Sequence, residues 1–271
     1  MFCACVSQSE HDKTILEKEA IEAEKEKVKQ ELDEIKFGAP TLLVDGKKFY
    51  DAKEFTQARQ KFQMLLDKHP DLPQSIEAKK YLSIIDEEEL WNNVINSDNI
   101  TVSESYIDKY PTGKYLSQSK AKRVELKALN MQKAYDFASS QNSSYSWKSF
   151  LNEYPDHIEA SVIKKRIISL EVDEISGERE TGKMPSFNQY SSEYSSSSTV
   201  WITNNTGCEL TVRYSGPDIE MIIIPEGGER SMSLSSGIYK IAASACGSNY
   251  AGSESLQGEY GSTFYISSTR Y

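Results

Sequence analysis

Between Phe49 and Pro70 the apolar residues recur at spacings of three and four. Phe55, Ala58, Phe62, Leu65 and Leu66 fall on one face of a helix. Phe49 and Tyr50 sit on a shorter helix before it, so Gly46–Pro70 predicts a helix–turn–helix hairpin. Ala58 is small where two helices approach. Phe62, one turn later, is large enough to fill the gap between them. Pro70 stops the second helix, because its ring cannot continue the hydrogen-bond ladder. The pattern then returns. Leu66-Asp67-Lys68-His69-Pro70 comes back as Ile107-Asp108-Lys109-Tyr110-Pro111 and as Leu151-Asn152-Glu153-Tyr154-Pro155, with the prolines 41 and 44 residues apart. Ile85, Leu126 and Leu170 each lie fifteen residues past a proline, and Trp91 and Tyr135 open the later units. The polar runs 96–99 and 139–144 read as loops between paired helices. The aromatics Tyr106, Trp147 and Phe150 read as inter-helix core.

The order Gly46, Phe49, Ala58, Phe62, Pro70 resembles the consensus of the tetratricopeptide (TPR) repeat: glycine, aromatic, alanine, aromatic, proline at the same spacings. Leu42 stands where an early tryptophan is usual and Leu65 where a second alanine is usual. The longer units ending at Pro111 and Pro155 resemble the degenerate repeats of bacterial envelope lipoproteins, including the lipoprotein of the outer-membrane β-barrel assembly machinery. That resemblance implies stacked hairpins over residues 39–175. It also implies a non-enzymatic scaffold whose partners are other envelope proteins or peptides.

On either side the pattern changes. Residues 9–38 predict a charged helix with Glu–Lys pairs at i,i+3 and a narrow stripe of Ile21, Val28, Leu32 and Ile35, ended by Gly38 and Pro40. It reads as a stalk or dimerising helix, or as a solvated helix packed on the first hairpin. Residues 176–198 are serine-rich and predict a flexible linker, with Tyr190 and Tyr194 as exposed aromatics. From residue 199 to 271 short β runs alternate with Asn204-Asn205, Gly216-Pro217, Gly227-Gly228 and Ser236-Gly237, which predicts a small antiparallel sandwich. Leu234–Tyr239 resembles the strand–glycine–tyrosine turn of bacterial immunoglobulin-like and PEGA-type modules. Gly247–Gly261 reads as a long turn with a strand in it; the alternative is a loop that binds a glycan or peptide through Tyr250 and Tyr260. The fold class expected is therefore multidomain α and β: helical repeats, then a β-sandwich.

Charge and cysteine usage narrow the function. A formal charge of −10 leaves no basic face for phosphates, which argues against nucleic acid as a partner. No apolar run approaches twenty residues, so the only membrane link expected is a lipid anchor. In residues 1–8, Phe2-Cys3-Ala4-Cys5 resembles the end of a bacterial lipobox, which implies a start further upstream, Cys5 as the lipidated first residue of the mature chain, and an outer-membrane location. A cytosolic chain with incidental cysteines, or a Cys-x-Cys metal pair, are the other readings. Cys208 and Cys246 flank predicted strands in a thin-cored domain. They form a disulfide if the compartment is oxidising and two free thiols if it is not. His11, His69 and His157 lie in no zinc-protease motif, and no nucleophile elbow, phosphate loop or dinucleotide fingerprint occurs. No catalytic residue, cofactor or metal is therefore expected. The alternatives to an envelope scaffold are a glycan- or cell-wall-binding module with the repeats as spacer, and a cytosolic TPR adaptor.

Overall fold

The computed structural model describes residues 8–178, 180–191 and 195–265, so Cys5 and Tyr194 lie outside the described residues. The chain divides into two compact units, Met1–Lys127 and Ala128–Tyr271.

The first unit is helical. Helix α1 (Gln8–Phe37) is exposed from Glu10 to Lys36, including Ile21, Val28, Leu32 and Ile35. It ends where Lys68 Nζ sits 4.4 Å over the Phe37 ring and His69 Nε2 hydrogen-bonds the Phe37 carbonyl at 3.0 Å. Gly38 makes the break, since a Cβ there would strike the Glu34 carbonyl oxygen. Pro40 does not end α1. It opens α2 (Ala39–Asp51), where a missing N–H costs nothing. Helices α2 and α3 (Phe55–Lys68) form the first hairpin, and α4 (Pro73–Ile95) closes over it. Leu42, Ala58, Phe62, Leu65, Ala78 and Ile85 are buried together, with Phe49 and Tyr50 half-buried at the edge. Gly46 is a glycine because a Cβ would overlap the Phe62 ring. That ring in turn stacks on Tyr81 of α4 at 5.1 Å. Helix α5 (Ile100–Lys109) follows, capped by the Asn99 side chain accepting from the Thr101 N–H. The helix α6 (Leu116–Gln141) begins in this unit and ends in the next.

The three proline motifs end their helices in the same way. His69, Tyr110 and Tyr154 adopt φ/ψ of −137/55, −126/68 and −126/64, outside the helical region that a following proline disfavours. Their amides donate to the carbonyls of Leu65, Tyr106 and Phe150 at 2.9, 2.9 and 2.8 Å. All three acceptors belong to buried side chains.

In the second unit, the end of α6 pairs with α7 (Ser144–Glu153) and α8 (Ala160–Gly177) around Ala138, Trp147, Phe150, Ile163 and Ile167. Tyr135 meets Trp147 and Phe150 edge-on at 5.2 and 5.5 Å. The β-sandwich follows: β1 (Gly182–Lys183), β2 (Asn188–Ser191), β3 (Ser197–Asn205), β4 (Leu210–Ser215), β5 (Ile219–Ile224), β6 (Glu229–Ser235), β7 (Gly237–Ala245), β8 (Ser248–Leu256) and β9 (Glu259–Tyr265). One sheet runs β1-β8-β7-β4-β5 and the other β2-β9-β3-β6. Alternate residues of both, among them Val200, Ile202, Leu210, Val212, Ile224, Leu234 and Ile241, fill the space between them.

Three expectations are corrected here. Residues 176–198 are not a bare linker. Their few apolar residues are used: Met184 is buried in the sandwich core, Phe187 packs against it, and β1 and β2 add an edge strand to each sheet. The sandwich is not wholly antiparallel, because β1 runs parallel to β8 and β3 parallel to β9. Gly247–Gly261 does hold the strand expected in it but is not mainly turn: it contains the whole of β8 and the start of β9. Its small residues are packing positions. Ala251 meets Val172 and Ile175 of α8 together with Ala242, and a Cβ on Gly252 would lie 2.9 Å from the Met184 Cβ. Helix α8 therefore lies directly on the β7–β8 sheet.

Candidate interaction cleft

A cleft of about 370 Å³ lies on the α6–α7 hairpin. Ala134, Phe137 and Gln141 line it from α6, and Tyr145, Ser149 and Glu153 from α7. Its shape follows from local chemistry. Asn142 takes the left-handed conformation (φ 47) between the helices, which its short amide side chain tolerates. Ser143 caps α7 reciprocally with Ser146. This tight entry projects Tyr145, 81% exposed, opposite Phe137, 63% exposed. Phe150 and the buried Ser146 lie beneath them. The lining presents two solvated aromatic faces, serine hydroxyls and one carboxylate. That set holds an apolar or aromatic side chain and bonds the backbone that carries it. It pairs no nucleophile with a base.

The most buried carboxylate of this unit is already paired. Glu171 of α8 is buried between Arg213 of β4, whose Nε donates at 2.6 Å, and Lys148 of α7, which pairs with its other oxygen. Burial alone would raise the Glu171 carboxyl, but the hydrogen bonds from Lys148 and Arg213 hold it below its ordinary value. Arg213 continues to Ser244 Oγ at 3.2 Å. That hydroxyl donates to Asn249 Oδ1, and Asn249 Nδ2 donates to Glu178, both at 2.8 Å. The chain of bonds ties α7 and α8 to the sandwich. In the first unit, burial and a 2.6 Å hydrogen bond to Glu87 push the Tyr106 hydroxyl up to about 12. Glu87 also accepts the Lys114 N–H, and a Cβ on Gly113 would intrude on both Glu87 and Tyr106.

Of the residues singled out from sequence, Gly46, Phe49, Ala58 and Phe62 are brought together in the first hairpin. Pro70, Pro111 and Pro155 are exposed and stand apart, each just past a helix end. Leu42 and Leu65, the two departures from the repeat consensus, are fully buried. Cys208 and Cys246 are bonded to each other with their Cα atoms 5.5 Å apart. Cys246 and Gly247 form a two-residue hairpin turn with φ of 49 and 75, which the bond staples to the segment after β3. Tyr260 is buried rather than offered to a ligand. Its hydroxyl donates to the Ser255 carbonyl and accepts the Gln257 N–H, locking the β8–β9 turn. Tyr239 is likewise buried, its hydroxyl donating to the Ser235 carbonyl at 2.8 Å. Sequence reasoning missed Phe137 and Tyr145. The signal was there, an aromatic inside the serine run and another on a polar helix face.

Among the described residues no helix is long and apolar enough to cross a membrane, and no three His, Cys, Asp or Glu side chains gather as a metal site would require. Residues 177–267 match the family model of a domain of unknown function, DUF6759. The match begins before β1, so it takes in the serine-rich segment along with the sandwich that β1 and β2 complete. No curated protein matches the chain in sequence.

Proposed function

We propose that this chain is a non-enzymatic interaction scaffold of the bacterial envelope, built from TPR-like hairpins and anchored by a lipid on Cys5. The observation that carries the reading is the α6–α7 cleft, where Phe137 and Tyr145 stand in solvent above hydroxyl-bearing walls. Solvated aromatics in a concave, largely uncharged site mark a place where a partner's side chain is received. The TPR-like reading is supported by the fit of Phe62 over Gly46 and by the three matching helix ends at His69, Tyr110 and Tyr154. Export is supported by the Cys208–Cys246 disulfide, since such bonds persist in oxidising compartments. A buried tyrosine returning to its own turn, as Tyr239 does, supports the likeness to PEGA-type modules.

The test is co-purification of the full chain from solubilised membranes, with mass spectrometry of Cys5. An acylated Cys5 and a partner lost on Phe137→Ala/Tyr145→Ala support the proposal. An unmodified Cys5 removes the anchor, and a partner retained by the double variant removes the cleft. A second reading, glycan binding, draws on a hollow of about 190 Å³ in the sandwich lined by Lys183, Pro185, Tyr250 and Tyr265. Sedimentation with cell-wall polysaccharide that is abolished by Tyr250→Ala/Tyr265→Ala would favour it over the first.

A further inference from the structure

Among the described residues the sandwich has four edge strands, and they are not alike. β1 has two residues and is followed by Pro185. β2 is short, polar and broken in register between Gln189 and Ser191. β6 carries Glu229, Arg230 and three serines and is mostly exposed. Short length, proline, bulges and charge are the usual ways in which an edge is kept from pairing. β5 has only one of them, the single charge of Glu220. It is Ile219-Glu220-Met221-Ile222-Ile223-Ile224, six residues at the end of its sheet with neither glycine nor proline. Met221 and Ile223 are 41% and 44% exposed. They border a groove of about 450 Å³ whose other apolar walls are Ile167 and Ile168 of α8. Among the described residues nothing pairs with the outer side of β5. The side chain that bonds its backbone is Asn204, which donates to the Ile224 carbonyl at 2.9 Å.

We propose that β5 pairs with β5 of a second copy of this chain, antiparallel about a two-fold axis, joining the two five-stranded sheets. The choice of occupant rests on self-complementarity. A two-fold perpendicular to the sheet must be centred on a residue, so each side chain meets one of the same face. Centred on Met221, the axis sets Met221 against Met221 and Ile219 against Ile223. Centred on Ile222, it sets Met221 against Ile223. In both registers Glu220 faces an isoleucine and never the other Glu220, so no like charges oppose. Lys165 of α8 lies 3.7 Å from Glu220 and offsets its charge within the same copy. About a residue-centred axis the six-residue strand pairs five of its residues with the same five of the other copy, and an isologous contact closes after two copies.

The test is sedimentation velocity on the full chain across a concentration series, with hydrogen exchange read at 219–223. The expected species is a dimer whose 219–223 amides gain protection as concentration rises. Met221→Lys/Ile223→Lys, at exposed positions, should weaken it at least about tenfold while leaving the melting transition in place, because in either register lysines of the two copies are set directly against each other. Ile21→Lys/Val28→Lys on the exposed stripe of α1 should leave it intact. A chain that stays monomeric overturns the proposal. So does a dimer that survives the β5 variant or falls apart with the α1 variant. Amides at 219–223 protected only after an envelope extract is added would assign the edge to a different protein, and would overturn it too.

Discussion

The first hairpin and the joint between α8 and the sandwich are both buried contacts between elements, yet they are held by different physics. In the hairpin a large ring sits over a missing side chain: Phe62 against Gly46, with Ala58 one turn earlier and Tyr81 stacked behind. No charge enters this packed core; the hairpin's own ion pair, Lys61 to Asp45 at 3.0 Å, lies at its part-exposed rim. In the joint Val172 and Ile175 meet small residues of β7 and β8, and beside them Glu171 is shared by Lys148 and Arg213. The first contact depends on shape and the second on protonation as well. Shape within one hairpin is written in neighbouring residues, whereas the ion cluster joins residues 23 and 42 positions apart.

The most damaging way to break the comparison is Phe62→Ala. It opens a cavity among Leu42, Leu65 and Ile85, and should lower stability by about 3–5 kcal/mol. Denaturant melts of the full chain should show that loss unchanged between pH 4 and 8. Next is the disulfide, which closes a 38-residue separation in the sandwich. Cys208→Ser/Cys246→Ser should cost about 2–4 kcal/mol, read in the transition of the second unit, with the first hairpin unaffected.

Smaller, but more telling, is Glu171→Gln. Its carboxyl is held below the ordinary value in the fold, so its contribution is present above the unfolded value near 4.3 and fades as pH falls through the lower folded value. The variant should lose about 1–3 kcal/mol at pH 7, since one buried acceptor is weakened and Lys148 is largely solvated. It should also flatten the acid limb of the stability profile, and a limb unchanged by the variant would detach the joint from Glu171. The smallest effect expected is at the α2–α3 turn, where Lys53 holds φ 63. Lys53→Gly should raise the hairpin's melting transition by up to about 1 kcal/mol, because glycine adopts that conformation without strain.

The same contrast explains what could be read from the residues alone. The hairpin was legible because spacing, small-to-large alternation and Pro70 all lie within one short stretch. The three proline motifs were legible because a residue before proline has few conformations, and His69, Tyr110 and Tyr154 take the same one. β8 was not legible. Its serines, glycine and asparagine look like loop, and only the partner strands and α8 make Ala251 and Gly252 packing positions. β1 and β2 were hidden for the same reason, since Met184 and Phe187 are two apolar residues in a polar run whose core lies elsewhere in the chain. The cleft was half legible. Tyr145 was visible as an aromatic among serines, but its opposition to Phe137 depends on the Asn142 turn and the Ser143 cap.

That cleft is where the account is most directly tested. A photo-crosslinking residue placed at Tyr145 of the full chain, in intact cells, should give one defined protein adduct, while the same residue at the exposed Lys79 of α4 should not. No adduct at Tyr145, or the same adducts from both positions, would contradict a partner received between Phe137 and Tyr145.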